Sequence, residues 1–494
     1  MHNLKPKYTN YILFPTLVLF TISLPLPIAF SSVFTIVLFL ISLGNIRDIK
    51  TNIALYFSSR RNILLLVIFF SLLFSILYSD DKKNAMKGIL AAVPLLALPF
   101  SLVGIRQLST KQITLLKKIF VFSCLTISIF YFIKTGIRIG LFDGSYKFKP
   151  VSTAYQSPYL VYNLTYRQLT PSIHAVFFSL YIAVALLIIL FEFEHKTRFS
   201  KILHGLMTLY FAIYLILLTS ATINFALYGF IIATVFFRYS FKRPLQHLSF
   251  FGLVLIGTAI TDYLLIVKYI GPDIGDIVYK FDSPSINQKI IFSFIAVILM
   301  SIVAIIVKLI PQKKYKLVLG GAFIIAALAG VIYFNSAKNG QNNNDQKINN
   351  ISIRARYNKE AIRIIKKYPL VGVGIGDKKF NLLERDISLG DKRYVEFGNE
   401  TLPDHIFNPH NQFLDFWISA GILPVICFLL FLINEFSKAI RYKHIVYLGL
   451  VYCFCLFCFT DMAMMVQRGQ IFFLFFVCLF EIESRKRMPE LPMS

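Results

Sequence analysis

Long apolar runs separated by short basic or mixed stretches make up most of this chain. An α-helix needs about 20 mostly apolar residues to cross a bilayer. Runs of that kind fall at 11–25, 27–44, 61–79, 87–104, 114–133, 171–192, 202–219, 221–238, 247–269, 289–309, 316–335, 412–434, 443–460 and 466–481. Some of them abut closely, as 202–219 and 221–238 do, so the pattern predicts roughly 12 to 14 spans. The expected fold is an all-α polytopic membrane protein. Three parts are expected: an N-terminal bundle over 1–335 with a loop at 135–170, a large polar loop over 336–411, and a C-terminal three-span bundle over 412–494.

The large loop has its own pattern. Residues 338–350 are rich in Asn and read as a tether. From Ile353 to Tyr368 the period turns helical: Tyr357, Ala361, Ile364, Ile365 and Tyr368 share one face, and Arg356, Arg363 and Lys367 share another. This predicts an amphipathic helix resting on the membrane surface. Pro369 ends it, and Gly372, Gly374 and Gly376 form a turn in which backbone amides can approach a ligand closely. Residues 377–403 show no clear period.

Composition agrees with the hydropathy: hydrophobic residues are 56% of the chain, which is too apolar for a soluble globular protein. The net charge of +26 suggests a nucleic-acid partner until each Lys and Arg is placed. The clusters at Arg47 to Lys50 with Arg60 and Arg61, Arg106 to Lys118, His195 to Lys201, Arg238 to Arg243, Lys308 to Lys316, Lys438 to Lys443 and Arg485 to Arg487 fall on alternate loops. By the positive-inside rule these loops and both termini are cytoplasmic, and the loops 135–170, 270–288 and 336–411 are external. The charge is then topological, and no nucleic acid is expected. All six cysteines lie inside expected spans, so neither a disulfide framework nor a zinc site is implied. The first apolar run contains Pro15 and no small-residue cleavage site, and it reads as an uncleaved span.

The polar residues that suit chemistry lie at the external ends of spans. His410 precedes the span 412–434, within reach of both headgroups and solvent. Histidine exchanges a proton near neutral pH and can take one from an attacking hydroxyl; the plainer reading is an interfacial histidine beside Asn411, a natural helix cap. Asp404 and His405 are placed to orient His410. Arg354 and Arg356 begin the surface helix, and Arg167 precedes the span that opens near Pro171. A guanidinium grips phosphate oxygens with two prongs and keeps its charge, so such arginines suit a diphosphate leaving group; a solvated basic face explains Arg356 and Arg363 equally well. Tyr155, Tyr159, Tyr162 and Tyr166 suit sugar stacking or an aromatic belt. His174, expected some residues into its span, reads as a packing residue whose depth still merits a test. No metal-ligand spacing, P-loop or dinucleotide fingerprint is found, so neither a metal nor a cofactor is expected.

These motifs resemble the O-antigen ligase and polymerase superfamily. Arg354, the helix that follows it, Ala361, Pro369, Gly372 and Gly374 are similar to that family's outer-loop pattern. His410-Asn411 followed by Gly421 is similar to its histidine signature, and Arg167 with Thr170, Pro171 and His174 is similar to the opening of an earlier span. The chain departs from the pattern at Thr219-Ser220-Ala221-Thr222, where a Ser-Arg pair is usual, and at Pro424 and Val425.

The resemblance implies a bundle of the membrane glycosyltransferase C type in the bacterial inner membrane. It also implies transfer of a glycan from undecaprenyl-diphosphate to an acceptor hydroxyl, foremost on lipid A core, at the periplasmic face. In that reading His410, Arg354 and Arg167 are catalytic. Arg356, Asn411, His405, Asp404, Gly372, Gly374 and His174 bind substrate, and membrane lipids are the surrounding partners. A repeat-unit polymerase and an O-linked protein glycosyltransferase share the motif. A flippase or transporter is the reading from another class, but it would place ionisable residues near the bilayer midplane rather than at span ends.

Overall fold

A computed structural model describes residues 7–44, 46–142, 169–193, 197–218, 220–239, 350–378 and 409–487. The helices among them are α1 (Lys7–Ser23), α2 (Ile28–Gly44), α3 (Ile46–Phe57), α4 (Arg60–Phe74), α5 (Lys82–Ala92), α6 (Pro94–Ser101), α7 (Thr110–Arg138), α8 (Ala175–Glu192), α9 (Arg198–Leu217), α10 (Ala221–Tyr239), α11 (Asn350–Lys367), α12 (Gln412–Ala420), α13 (Ile422–Arg441), α14 (Ile445–Cys458) and α15 (Gln467–Arg487). No strand occurs among the described residues. The protein is an all-α polytopic membrane protein: five described stretches are long and apolar enough to cross a bilayer, and a sixth arises if α3 and α4, bent by 87°, count as one. The expected spans at 247–269, 289–309 and 316–335 lie outside the described residues.

The chain divides into two compact units, Met1–Tyr131 with Thr170–Phe211 and Ile353–Ser494, and Phe132–Leu169 with Ala212–Ser352. In the second unit, α10 is tied to the end of α9 by the Asn224 side chain, which donates to the Leu215 carbonyl at 3.2 Å. The glycine turn, His410-Asn411, His174 and Asp461 belong to the first unit.

That unit departs from the hydropathy reading in three places. Residues 46–57, expected as a basic loop, form α3, because Ile46, Ile49, Ile53 and Tyr56 recur at helical spacing. The expected span 412–434 is broken at Gly421, which has φ +78 and ψ −162 and separates α12 from α13. The helix α11 covers the predicted stretch, but Ala361, Ile364 and Ile365 are buried inside the protein, so its apolar face packs on protein rather than on lipid.

One end of the unit gathers buried charge. Arg61 pairs with Glu481 at 2.6 Å and with Glu435 at 3.7 Å, Lys438 pairs with Glu481 at 3.1 Å, and Tyr447 donates to Glu435. Beside it, Lys117 pairs with Glu483 at 2.6 Å and with Glu192, and His444 lies 3.4 Å from Glu483. Arg61, Lys117 and Lys438, from three of the basic clusters predicted for alternate loops, therefore meet at the same end of their helices. Buried pairs of this kind add little net stability, because desolvation offsets attraction, but they fix the register of the helices that carry them. Glu192, His444 and Glu483 have the geometry to hold a cation, and the Lys117 ammonium already lies against both carboxylates.

Candidate active site

The opposite end of the unit is built around the glycine turn that follows α11. The turn is held between two helix pairs. Val373 donates its amide to the Ile418 carbonyl at 2.8 Å, and the Trp417 indole donates to the Pro369 carbonyl at 2.8 Å, which joins the turn to α12. On the other side the Ile375 and Gly376 amides donate to the Ser75 and Ser79 hydroxyls, each at 3.2 Å. Asp377 accepts from the Asp80 and Asp81 amides at 2.7 and 2.8 Å, at the start of α5.

The glycines make this approach possible. Gly372 has φ +72 and Gly374 has φ +99, and a Cβ there would strike the Ile418 carbonyl or the Ser79 hydroxyl. The close approach predicted for Gly372 and Gly374 is thus an approach to neighbouring helices. Just beyond, the Lys378 ammonium reaches both oxygens of buried Asp415 in α12, at 2.8 and 3.0 Å.

α12 opens at His410-Asn411. The Asn411 side chain caps the helix, accepting from the Phe413 and Leu414 amides at 3.0 and 3.1 Å. An Asn411→Ala variant is expected to lose about 1 kcal/mol of stability with its loop geometry otherwise kept, as a chemical-denaturation midpoint would measure. His410 itself has φ +43, a left-handed backbone that a side-chain-bearing residue seldom adopts. Such outliers concentrate at functional sites, where surrounding structure holds them in place.

Here the hold comes from the loop 459–466 between α14 and α15. Gln412 accepts from the Met464 amide at 2.6 Å, and Gln470 donates to the Met464 carbonyl at 2.8 Å, so a single residue is clamped from both neighbouring helices. The same loop carries Asp461, whose Oδ1 lies 3.8 Å from His410 Nδ1. Burial alone would push the Asp461 carboxyl up; the His410 imidazole and the Met462 amide outweigh it and hold the carboxyl below its usual value. The stability this shift contributes is full above the unfolded carboxylate pKa and is lost as pH falls through the folded value.

His174 also acts on Asp461. It is the residue before α8, not a residue inside the span, because the chain turns at Thr170 to Ile173, around Pro171, before the helix starts at Ala175.

The structure therefore brings His410, Asn411 and His174 to one end of the unit with Asp461. It places the backbone of Arg354 and Arg356 early in α11. Arg167, Asp404 and His405 lie outside the described residues. The residues that the sequence reading did not bring to the site are Asp461, Gln412, Gln470 and Arg468. Their signal is a polar side chain inside or at the edge of an apolar run.

An acid beside an imidazole steadies its protonated form. Asp461→Asn is expected to slow any step in which His410 takes a proton by roughly tenfold or more, since a charge at about 4 Å contributes between about 1 kcal/mol in water and about 4 kcal/mol near a protein surface. A slower rate with an unchanged melting temperature is expected, and a rate loss matched by a fall in melting temperature would mean that Asp461 only holds the loop.

Compared with known families, residues 292–429 match the O-antigen ligase family. The matched stretch contains Arg354, Gly372, Gly374, His410 and Gly421, and it ends before Asp461. No curated protein matches the chain.

Proposed function

We propose, with membership of the O-antigen ligase superfamily as the premise, that this protein transfers a glycan from a polyprenyl-diphosphate carrier to an acceptor hydroxyl. The observation that carries the reading is His410, inside the matched segment, held at φ +43 with Asp461 beside its Nδ1. With Nδ1 turned to the carboxylate, Nε2 takes the proton of the acceptor hydroxyl as its oxygen attacks the anomeric carbon. The bond from that carbon to the phosphate oxygen breaks, and the polyprenyl diphosphate leaves with the electron pair. Arg354 and Arg167 balance the charge that grows on it, through bidentate contacts to phosphate oxygens. His174, Asn411, Arg356, Asp404 and His405 line the approach of the substrates.

We place this end of the helices at the periplasmic face of the bacterial inner membrane, with undecaprenyl as the carrier and lipid A core as the acceptor. The buried charge cluster then lies at the cytoplasmic end, with both termini. The support is the segregation of basic loops to the end away from His410.

The test is transfer by the purified protein in nanodiscs, given an undecaprenyl-diphosphate-linked polysaccharide and either lipid A core, a second lipid-linked repeat unit or an acceptor protein. Label moving to lipid A core supports the ligase reading. Label moving only to the lipid-linked repeat unit identifies a polymerase, and label moving only to protein identifies a protein glycosyltransferase. Donor that stays intact with every acceptor would sink the transferase reading.

A further inference from the structure

Five cationic side chains are buried among the described residues of the first unit: Arg61, Lys117, Lys378, Lys438 and Arg468. The first four each pair with a carboxylate, at 2.6 Å for Arg61 with Glu481, 2.6 Å for Lys117 with Glu483, 2.8 Å for Lys378 with Asp415 and 3.1 Å for Lys438 with Glu481. Arg468 is only 8% exposed, its Nη1 makes no hydrogen bond, and no described carboxylate pairs with it.

A buried guanidinium cannot shed its proton to escape the cost of burial, and an uncompensated buried charge costs several kcal/mol. Among the described residues, hydroxyls rather than carboxylates lie near Arg468. The Tyr181 hydroxyl is spent on the Arg468 carbonyl at 3.3 Å, and Tyr131 and Tyr181 lie close enough to feel the guanidinium charge. Arg468 stands in the first turn of α15, where the helix dipole adds to the positive potential. The loop that leads into that turn is the one that sets Asp461 beside His410.

We propose that Arg468 is a binding residue for a lipid-borne phosphate, and specifically for the diphosphate of the glycan donor. The inference rests on the transferase reading for the identity of the donor, and on the unpaired guanidinium for the site. A diphosphate suits it because its oxygens take the two-pronged contact that the described structure does not supply. Seated there, the leaving group ends at the positive end of α15, next to the loop that carries Asp461, the partner of the proposed base.

The experiment compares wild type, Arg468→Gln, Arg468→Lys and Arg468→Met in phosphatidylcholine nanodiscs. Undecaprenyl diphosphate, undecaprenol and phosphatidylglycerol serve as separate probes, and binding and melting temperature are both read. Expected are binding of the diphosphate but not the alcohol by wild type, at least a tenfold weaker Kd in Arg468→Gln, partial recovery in Arg468→Lys, and a melting temperature for Arg468→Met at or above that of wild type. The last result follows because removing an unpaired buried charge relieves its desolvation cost, whereas a structural arginine would lower the melting temperature when lost.

Wild-type diphosphate binding with an unchanged Kd in Arg468→Gln would overturn the inference and leave the transferase reading standing. Equal loss of phosphatidylglycerol binding would reassign the site to bilayer headgroups and overturn the donor assignment. Absence of diphosphate binding by wild type would overturn both readings. A melting temperature clearly lowered in Arg468→Met, with diphosphate affinity kept in Arg468→Lys and Arg468→Gln, would make the residue structural.

Discussion

His410→Ala is expected to lower the rate of glycan transfer by roughly 10²- to 10⁴-fold, the usual worth of a positioned general base. Donor binding should change little, because the proposed phosphate contacts belong to arginines. The effect is separable from folding. His410 holds a left-handed backbone at φ +43, and in that region glycine is relaxed where other residues are strained. His410→Gly should therefore melt at or above the wild-type temperature while being as inactive as His410→Ala. Parallel losses of activity and melting temperature in both variants would mean that the imidazole serves packing.

Gly421→Val is expected to cost about 4 kcal/mol or more and to undo the join between the glycine turn and α12. Two penalties combine at this position. With φ +78 and ψ −162 the residue occupies a region that is essentially restricted to glycine, worth about 1–3 kcal/mol. A Cβ there would also collide with the Leu370 carbonyl, which is backbone and cannot rotate away, and overpacking of this kind costs a further 1–3 kcal/mol. The turn must shift, and with it the 2.8 Å bonds from Val373 to Ile418 and from Trp417 to Pro369. Trp417 is the chain's single tryptophan, so intrinsic fluorescence reports on this join alone. A red-shifted emission with a lowered melting temperature is expected, and an unchanged spectrum would show that the turn tolerates the side chain.

Much of this architecture is legible in the hydropathy, because a bilayer forces apolar side chains into runs of fixed length whatever the packing inside. Apart from α3 and α11, the described helices fall on predicted spans for that reason, and the described basic clusters around Arg61, Lys117 and Lys438 meet at one end because alternation along the chain becomes segregation in space. The histidine at the head of α12 and the arginine helix were also legible, since a cap, a proline and three glycines mark where helices stop.

What the sequence hid was pairing at a distance. Asp461 is an unremarked acid 51 residues from His410 in sequence, and only the Gln412 and Gln470 clamps on Met464 bring it to the imidazole. Hydropathy also misread two positions where local geometry decides. The break at Gly421 depends on the Leu370 backbone, and the buried face of α11 depends on protein taking the place of lipid. Arg468 escaped notice because a charge at the end of an apolar run reads as an anchor until its partners are known.

Both stems of the stretch 379–408 are riveted to the same helix. On one side Lys378 grips Asp415, and on the other Asn411 caps α12 a single turn away. A chain held this way at its two ends can change in length without moving either anchor. Doubling the length between such anchors costs only about 0.6 kcal/mol of closure entropy. Insertions and deletions between these anchors are thus cheap, while α12 stays fixed by Lys378 on one side and Asn411 on the other.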